Sequence, residues 1–287
     1  MHYTQYKTIL SQHNGMNIYR GCSHGCIYCD SRSLCYQFNH DFEDIEVKTN
    51  TLIILENQLK SKRKLCMIAT GAMCDPYIPL EEELRLTRGC LELIDKYNCG
   101  IAIQTKSNRI LRDFDLIKRI NDKTKAVVQM TLTTYDEELC KMLEPYVSST
   151  KERFKVLKIL HEEGIPTVVW LSPILPFIND TEKNLYGILN YCIEAHVKGI
   201  ICFGFGTTMR DGSRDYFYKK LDESFPGMKE KYIEKYGYMY ECLSPNNNNL
   251  MQIFTKECET YGIMHNNTEI FNYLRELELK PNQLSIF

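Results

Sequence analysis

Five short apolar runs set the plan of this chain: 65–70, 101–105, 126–131, 165–171 and 199–203. Each is five to seven residues long and bounded by polar or glycine residues, which predicts buried strands. Between them lie stretches with apolar residues at helical spacing. Leu84, Leu86, Leu91 and Ile94 predict a helix over 81–97, and further helices are expected over 113–120, 136–143 and 181–195. The clearest helix begins at Ser149, because Ser149 and Glu152 stand at the offset of a capping box and Gly164 supplies the stop. Upstream, Leu52, Ile53, Leu55 and Leu59 predict a helix within 45–62. Residues 1–20 read as an extended lead-in, and a strand hidden near 16–20 would complete a set of six. Strand followed by helix, repeated at this spacing, predicts βαβ units with right-handed crossovers. The repetition leaves both an incomplete barrel and a doubly wound open sheet possible. Beyond Gly206 the chain turns Tyr- and Lys-rich and helical, with no further strand expected.

With 287 residues, 44% of them hydrophobic, the chain can bury the core of one α/β-barrel domain or of two small ones. No repeat or linker divides it, so a single domain is expected, with its core over about 16–210 and a helical extension over about 211–287. The formal net charge of −2 gives no global basic field, which argues against nucleic acid as a partner. No run of 18 apolar residues and no basic-then-apolar leader is present, so no membrane partner and a cytoplasmic location are expected. Thirteen cysteines then indicate a reducing compartment and not a disulfide framework.

Three of those cysteines stand apart. Cys22, Cys26 and Cys29 fall within Gly21–Asp30 at C-x3-C-x2-C spacing, with Gly21 and Gly25 allowing a tight loop. Zinc sites of this compactness usually add a second ligand pair, and no second C-x2-C follows. Fe–S clusters are normally held by four thiolates, so three from one loop leave an iron open to a non-protein ligand. The loop resembles the signature of the radical S-adenosylmethionine (SAM) superfamily. The resemblance implies a partial (β/α)6 barrel, a 4Fe–4S cluster on the three cysteines, SAM as cofactor, and an electron donor such as flavodoxin or ferredoxin. It places Gly71, Ala72 and Met73 at the SAM amino group and Tyr28 beside the adenine. Lys106 is a point charge suited to the SAM carboxylate, and Ser107 and Thr131 are suited to the ribose.

A narrower resemblance covers residues 16 to about 180. The cluster loop, Thr105-Lys106-Ser107, Glu144-Pro145 and the helix start Ser149…Arg153 resemble the spore photoproduct lyase group, whose namesake splits a thymine dimer in DNA. In that lyase a cysteine at the end of the second strand returns a hydrogen atom. Here Ala72 aligns with that position, and Cys74, two residues on, is the nearest candidate catalytic thiol. The short lead-in, the acidic balance and the sequence after Arg210 also depart from DNA repair. Shorter chains of the group include queuine lyase, which cuts a carbon–nitrogen bond to release 7-aminomethyl-7-deazaguanine, and this chain is similar in length. That reading assigns Asp75, Asp180 and Asp215 as acids for a base edge and Tyr77, Phe177 and Tyr216 as stacking aromatics. Asn179 and Arg210 remain for hydroxyl contacts. A non-catalytic Fe–S protein is the third reading. Cys35 and the remaining cysteines read as packing residues, as do Tyr232, Tyr236, Tyr238 and Tyr240.

Overall fold

The structure is a computed structural model that describes residues 1–278. Six parallel strands, Gly15–Met16, Met67–Thr70, Gly100–Thr105, Ala126–Thr131, Thr167–Trp170 and Gly199–Ile201, lie side by side in chain order. A doubly wound sheet reverses its strand order part-way; this one never does, so its crossovers all fall on one face. The result is the expected partial barrel, mostly parallel and jacketed by helices.

Strand period two divides the sheet cleanly. Ile68, Ile101, Ile103, Val128, Met130, Val169 and Ile200 face outward into the core shared with the jacket helices Thr51–Ser61, Leu86–Lys96, Phe114–Lys123, Thr150–Glu162 and Glu182–Glu194. Met67, Ala102, Val127, Val168 and Ile201 face the bore. The C-terminal helix Asn267–Arg275 covers that inner face with Ile270 and Leu274, each contributing about 1.5–3 kcal/mol by burial. Its ends are pinned. Asn267 Nδ2 donates to the Cys202 carbonyl at 2.8 Å, and Lys125 Nζ donates to the Tyr273 carbonyl at 2.9 Å.

Three expectations need correction. The helix expected over 81–97 is two helices, Glu81–Leu84 and Leu86–Lys96, broken at Arg85, whose φ is 50°. The break lets the buried Glu81 carboxylate accept Thr87 N–H at 2.9 Å at the start of the second helix. The stretch 45–62 begins as a strand, Glu46–Lys48, between His2–Thr4 and Tyr19–Arg20 in a small sheet. The region after Gly206 is not purely helical, because Gly206–Thr208 pairs antiparallel with Glu241–Leu243. Among the described residues no helix is long and apolar enough to cross a membrane.

Candidate active site

The cysteine loop is tied down from two sides. Cys22 N–H donates to the Phe42 carbonyl at 3.0 Å and Ile27 N–H to the Leu143 carbonyl at 3.0 Å, while Tyr146 N–H reaches the His24 carbonyl at 3.2 Å. Gly25 has φ +69°, and a Cβ there would lie 2.9 Å from the Tyr146 ring, so only glycine suits both the turn and the contact. The three thiols face a small cavity of about 100 Å³, closed opposite by Gly71–Asp75, Gln104–Lys106 and Thr131. At Gly71 (φ +100°) the backbone comes so close to the third strand that a Cβ would lie 2.0 Å from the Gln104 carbonyl oxygen.

Beneath the loop lies a buried ionic network. Arg153 and Glu144 are both fully buried, with Nη2 donating to Oε2 at 2.6 Å. Arg153 Nη1 also donates to the Thr131 carbonyl at 2.7 Å, and the Tyr28 hydroxyl donates to Glu144. Burial opposes ionisation of Glu144, but Arg153, Lys106 and Tyr28 outweigh it and hold the carboxyl below its ordinary range. Asp75 makes a second clip. It accepts from Lys106 N–H and Thr105 Oγ1, both at 2.7 Å, and from Tyr77 N–H at 2.8 Å, with His24 Nδ1 at 3.4 Å. The ends of the second and third strands and the cysteine loop are thereby locked together.

The donor set suits a polynuclear cluster better than one zinc ion. Among the described residues the one trio of ligand-type atoms lying within 4.8 Å of each other is His2, His40 and Asp44. The loop thiols therefore stand wider than ligands sharing one tetrahedral ion with bonds of about 2.3 Å. Burial raises the Cys26 and Cys29 thiols, whereas Cys22 is pulled down to about 6 because the Cys74 thiol donates to it. The same contact pushes Cys74 up. Two buried polar atoms of the cradle, Thr131 Oγ1 and His24 Nε2, have no hydrogen-bond partner in the protein, as expected where a polar ligand seats. Lys106 lines the cradle with its ammonium 5.9 Å from the Tyr28 ring centroid. Burial works against its charge, but Cys26, Glu144, Cys29 and Asp75 more than offset this.

A larger cavity of about 610 Å³ adjoins the cradle, and Tyr28, Cys29, Ser31, Ala72, Met73 and Lys106 line both. Its far wall is Trp170, Ser172, Phe203, Thr207, Thr208, Tyr240 and, just after it, the strand residues Glu241 and Leu243. Trp170 and Phe203 stand 6.1 Å apart between centroids, and Phe203 is 59% exposed. Arg210 sits at the rim, bonded to Asp30 Oδ2 at 3.2 Å, the Tyr36 hydroxyl at 3.1 Å and the Tyr240 hydroxyl at 2.9 Å.

The fold thus gathers Cys22, Cys26, Cys29, Tyr28, Gly71, Ala72, Met73, Lys106 and Thr131 around the cradle and brings Arg210 to the cavity rim. Others it places elsewhere. Cys74 lines the cradle beside Cys22 and does not line the larger cavity, so the thiol is not offered to a substrate there. Ser107 is buried and accepts from Arg109 N–H at 3.2 Å, capping a 3-10 turn away from the cradle. The carboxylate of Asp75 is taken up by the strand-end clip. Tyr77 is fully buried against Arg112. Phe177 packs on Tyr232 and Tyr236. Asn179 is spent on Leu175 N–H, the Thr133 carbonyl and Thr134. Asp180 is buried and accepts from Ser244. Tyr216 lies under the Arg32 guanidinium at 3.7 Å, and Asp215 borders a separate surface hollow. Tyr240, expected to pack in a helix, is a wall residue, and Cys35 is exposed near Arg210. Trp170, Phe203 and Glu241 were not among the expected substrate contacts. The one tryptophan of the chain, near the end of the fourth run, was the available signal for the first of these.

Comparison with known proteins fixes the family. The Radical SAM superfamily profile matches residues 16–189. The chain belongs to the radical SAM superfamily. The superfamily's cofactors are a 4Fe–4S cluster and SAM. Relatives include an uncharacterised protein of Methanocaldococcus jannaschii, 34% identical over 169 residues (58% of this chain, 62% of that protein). Another, from Mycobacterium tuberculosis, is 27% identical over 227 residues (77% of this chain, 66% of that protein). The chain thus spans somewhat less than two thirds of the length of these relatives. Spore photoproduct lyase shares the fold. One cysteine variant superposes with TM-score 0.64 at 13% identity, covering 86% of this chain and 74% of that one. A form with bound AdoMet and dinucleoside spore photoproduct gives 0.60 at 13% identity and the same coverage.

Proposed function

We propose that this enzyme is a lyase that breaks a bond in a small, planar, nucleobase-like molecule, with queuine cleavage to 7-aminomethyl-7-deazaguanine the leading case. One observation carries the reading: the larger cavity opens directly off the cysteine cradle through shared lining residues and is walled by flat side chains. Cys22, Cys26 and Cys29 would hold the cluster. The Gly71–Met73 backbone, Tyr28, Lys106 and Thr131 would hold SAM. When bound and reduced by one electron, these cofactors supply a 5′-deoxyadenosyl radical able to take hydrogen from an unactivated carbon. Lys106 orients the SAM carboxylate as a point charge. Trp170 and Phe203 receive the flat ring, Glu241 faces its N–H edge, and Arg210 with Tyr36 and Tyr240 reads its hydroxyl or amine substituents. Filling the cavity excludes water from the reacting carbon.

A second reading, dimer cleavage in DNA, draws on the fold shared with spore photoproduct lyase. It needs a hydrogen-atom donor in the substrate cavity. Cys74 lies in the cradle instead, and the cavity wall offers the Tyr36 and Tyr240 hydroxyls. The test is anaerobic cluster reconstitution followed by incubation of reduced protein with SAM and either queuine or a thymine-dimer oligonucleotide, read by mass spectrometry. Queuine-dependent 7-aminomethyl-7-deazaguanine is the expected product. Repaired thymine from the oligonucleotide would favour the second reading, and 5′-deoxyadenosine with neither product would overturn both substrates.

A further inference from the structure

The loop 37–45 that braces Cys22 carries a second group of ligand-type side chains outside the active site. His2 and Glu46 are register partners on neighbouring strands of the small sheet, and His40 and Asp44 come from the loop leading into Glu46. One nitrogen of each imidazole is already oriented. His2 Nδ1 lies 2.9 Å from Asp44 Oδ2, and His40 Nδ1 lies 2.8 Å from the Asp41 carbonyl. The opposite nitrogens both turn toward Glu46: Nε2 of His40 is 3.4 Å from Oε2 and Nε2 of His2 is 4.0 Å from it. His40 Nε2 is buried and makes no hydrogen bond. The other Glu46 oxygen is occupied by the Tyr6 hydroxyl at 2.6 Å, which leaves Oε2 for the imidazoles. Ligand-type atoms of His2, His40 and Asp44 all lie within 4.8 Å of one another.

We propose that His2, His40 and Asp44, with Glu46 beside the two imidazoles, bind a divalent first-row transition ion of the zinc class. Imidazole nitrogen with carboxylate oxygen suits such ions. For His40, an Nδ1 held by the Asp41 carbonyl is the usual support of a ligating Nε2, because it fixes both tautomer and ring orientation. The Met1 ammonium, 2.8 Å from Asp44 Oδ1, is the cation that competes for the site. The ion would act on the active site through Phe42. Its carbonyl receives Cys22 N–H, and it stands between His40 and Asp44, so fixing those two side chains fixes the support of the first cysteine.

The test uses the full chain with its Fe–S cluster reconstituted anaerobically, so that the loop thiols are occupied, and Zn²⁺ alone as the probe. Zinc retained after gel filtration is counted, and its ligands are read by X-ray absorption at the zinc edge. The expected result is one zinc per chain with a nitrogen and oxygen shell at about 2.0–2.1 Å, imidazole scattering, and no sulfur at about 2.3 Å. His40→Ala should weaken binding at least tenfold, and Asp44→Asn by about 10–100-fold. Should His40→Ala fail to fold, as read by circular dichroism, His2→Asn replaces it, because the His2 side chain is 38% exposed. No retained zinc, a sulfur shell, or undiminished binding by the folded variant overturns the proposal.

Discussion

Arg153 and Arg210 each pair with a carboxylate on or beside the cysteine loop, and the two pairs lie at opposite extremes of burial. Arg153 and Glu144 are 0% exposed, and their network reaches the Thr131 carbonyl and the Tyr28 hydroxyl. Arg210 and Asp30 are 36% and 32% exposed, and their neighbours Tyr36 and Tyr240 line the large cavity. A buried pair is costly to form and far costlier to break, since removing one member strands the other charge without water. A pair at the rim can exchange partners at little cost. The first therefore fixes the loop, and the second is free to meet a substrate.

The sharpest way to break that contrast is Arg153→Met. It should cost about 3–5 kcal/mol in urea denaturation and reduce retained iron, and a loss under about 1 kcal/mol would show that burial is not what distinguishes the pairs. Asp75→Asn keeps the shape of the other clip while removing its charge. The expected loss is about 1.5–3 kcal/mol by the same method. Acid titration sharpens the comparison from another side. The folded Glu144 carboxyl sits below its ordinary range, so its contribution is complete above the unfolded value of about 4.3 and is lost as pH falls through the folded one. Wild-type protein should lose stability over that acid window, and Arg153→Met should lack this part of the loss. Arg210→Ala should change stability by less than about 1 kcal/mol. Its effect should appear as a raised substrate KM. The smallest stability change belongs to Thr131→Val, within about 0.5 kcal/mol because the hydroxyl has no protein partner, yet SAM should bind more weakly by calorimetry.

Five of the six sheet strands were legible because they are continuous apolar runs, a signal that survives without tertiary context; the two-residue strand Gly15–Met16 is not such a run. The strands Glu46–Lys48, Gly206–Thr208 and Glu241–Leu243 were not, because three residues of mixed polarity carry no period. Missing the last of these hid the far wall of the cavity, including Tyr240 and Glu241. Arg85 is similarly opaque: a left-handed arginine is dictated by Glu81 reaching Thr87, which no local pattern announces. In the site, the cysteine loop and Lys106 could be read from residue type and spacing. Asp75 and Asp180 could not be sorted in sequence for a single reason. A carboxylate such as Asp75 or Asp180 looks the same in sequence whether it waits for a ligand or is already occupied by the chain.

The helix Asn267–Arg275 lies against strands made much earlier, and that has a consequence in time. Met67 and Leu274 share the bore cluster across about 200 residues, which at roughly 5–20 residues per second take about 10–40 s to synthesise. During that interval the inner face of the growing sheet has no permanent cover. A chaperone or a transient neighbour must shield Met67, Ala102 and Val127, or the nascent chain must delay closing its sheet. Synonymous codon changes that slow translation after residue 201 should therefore lower soluble yield while leaving the finished protein unaltered.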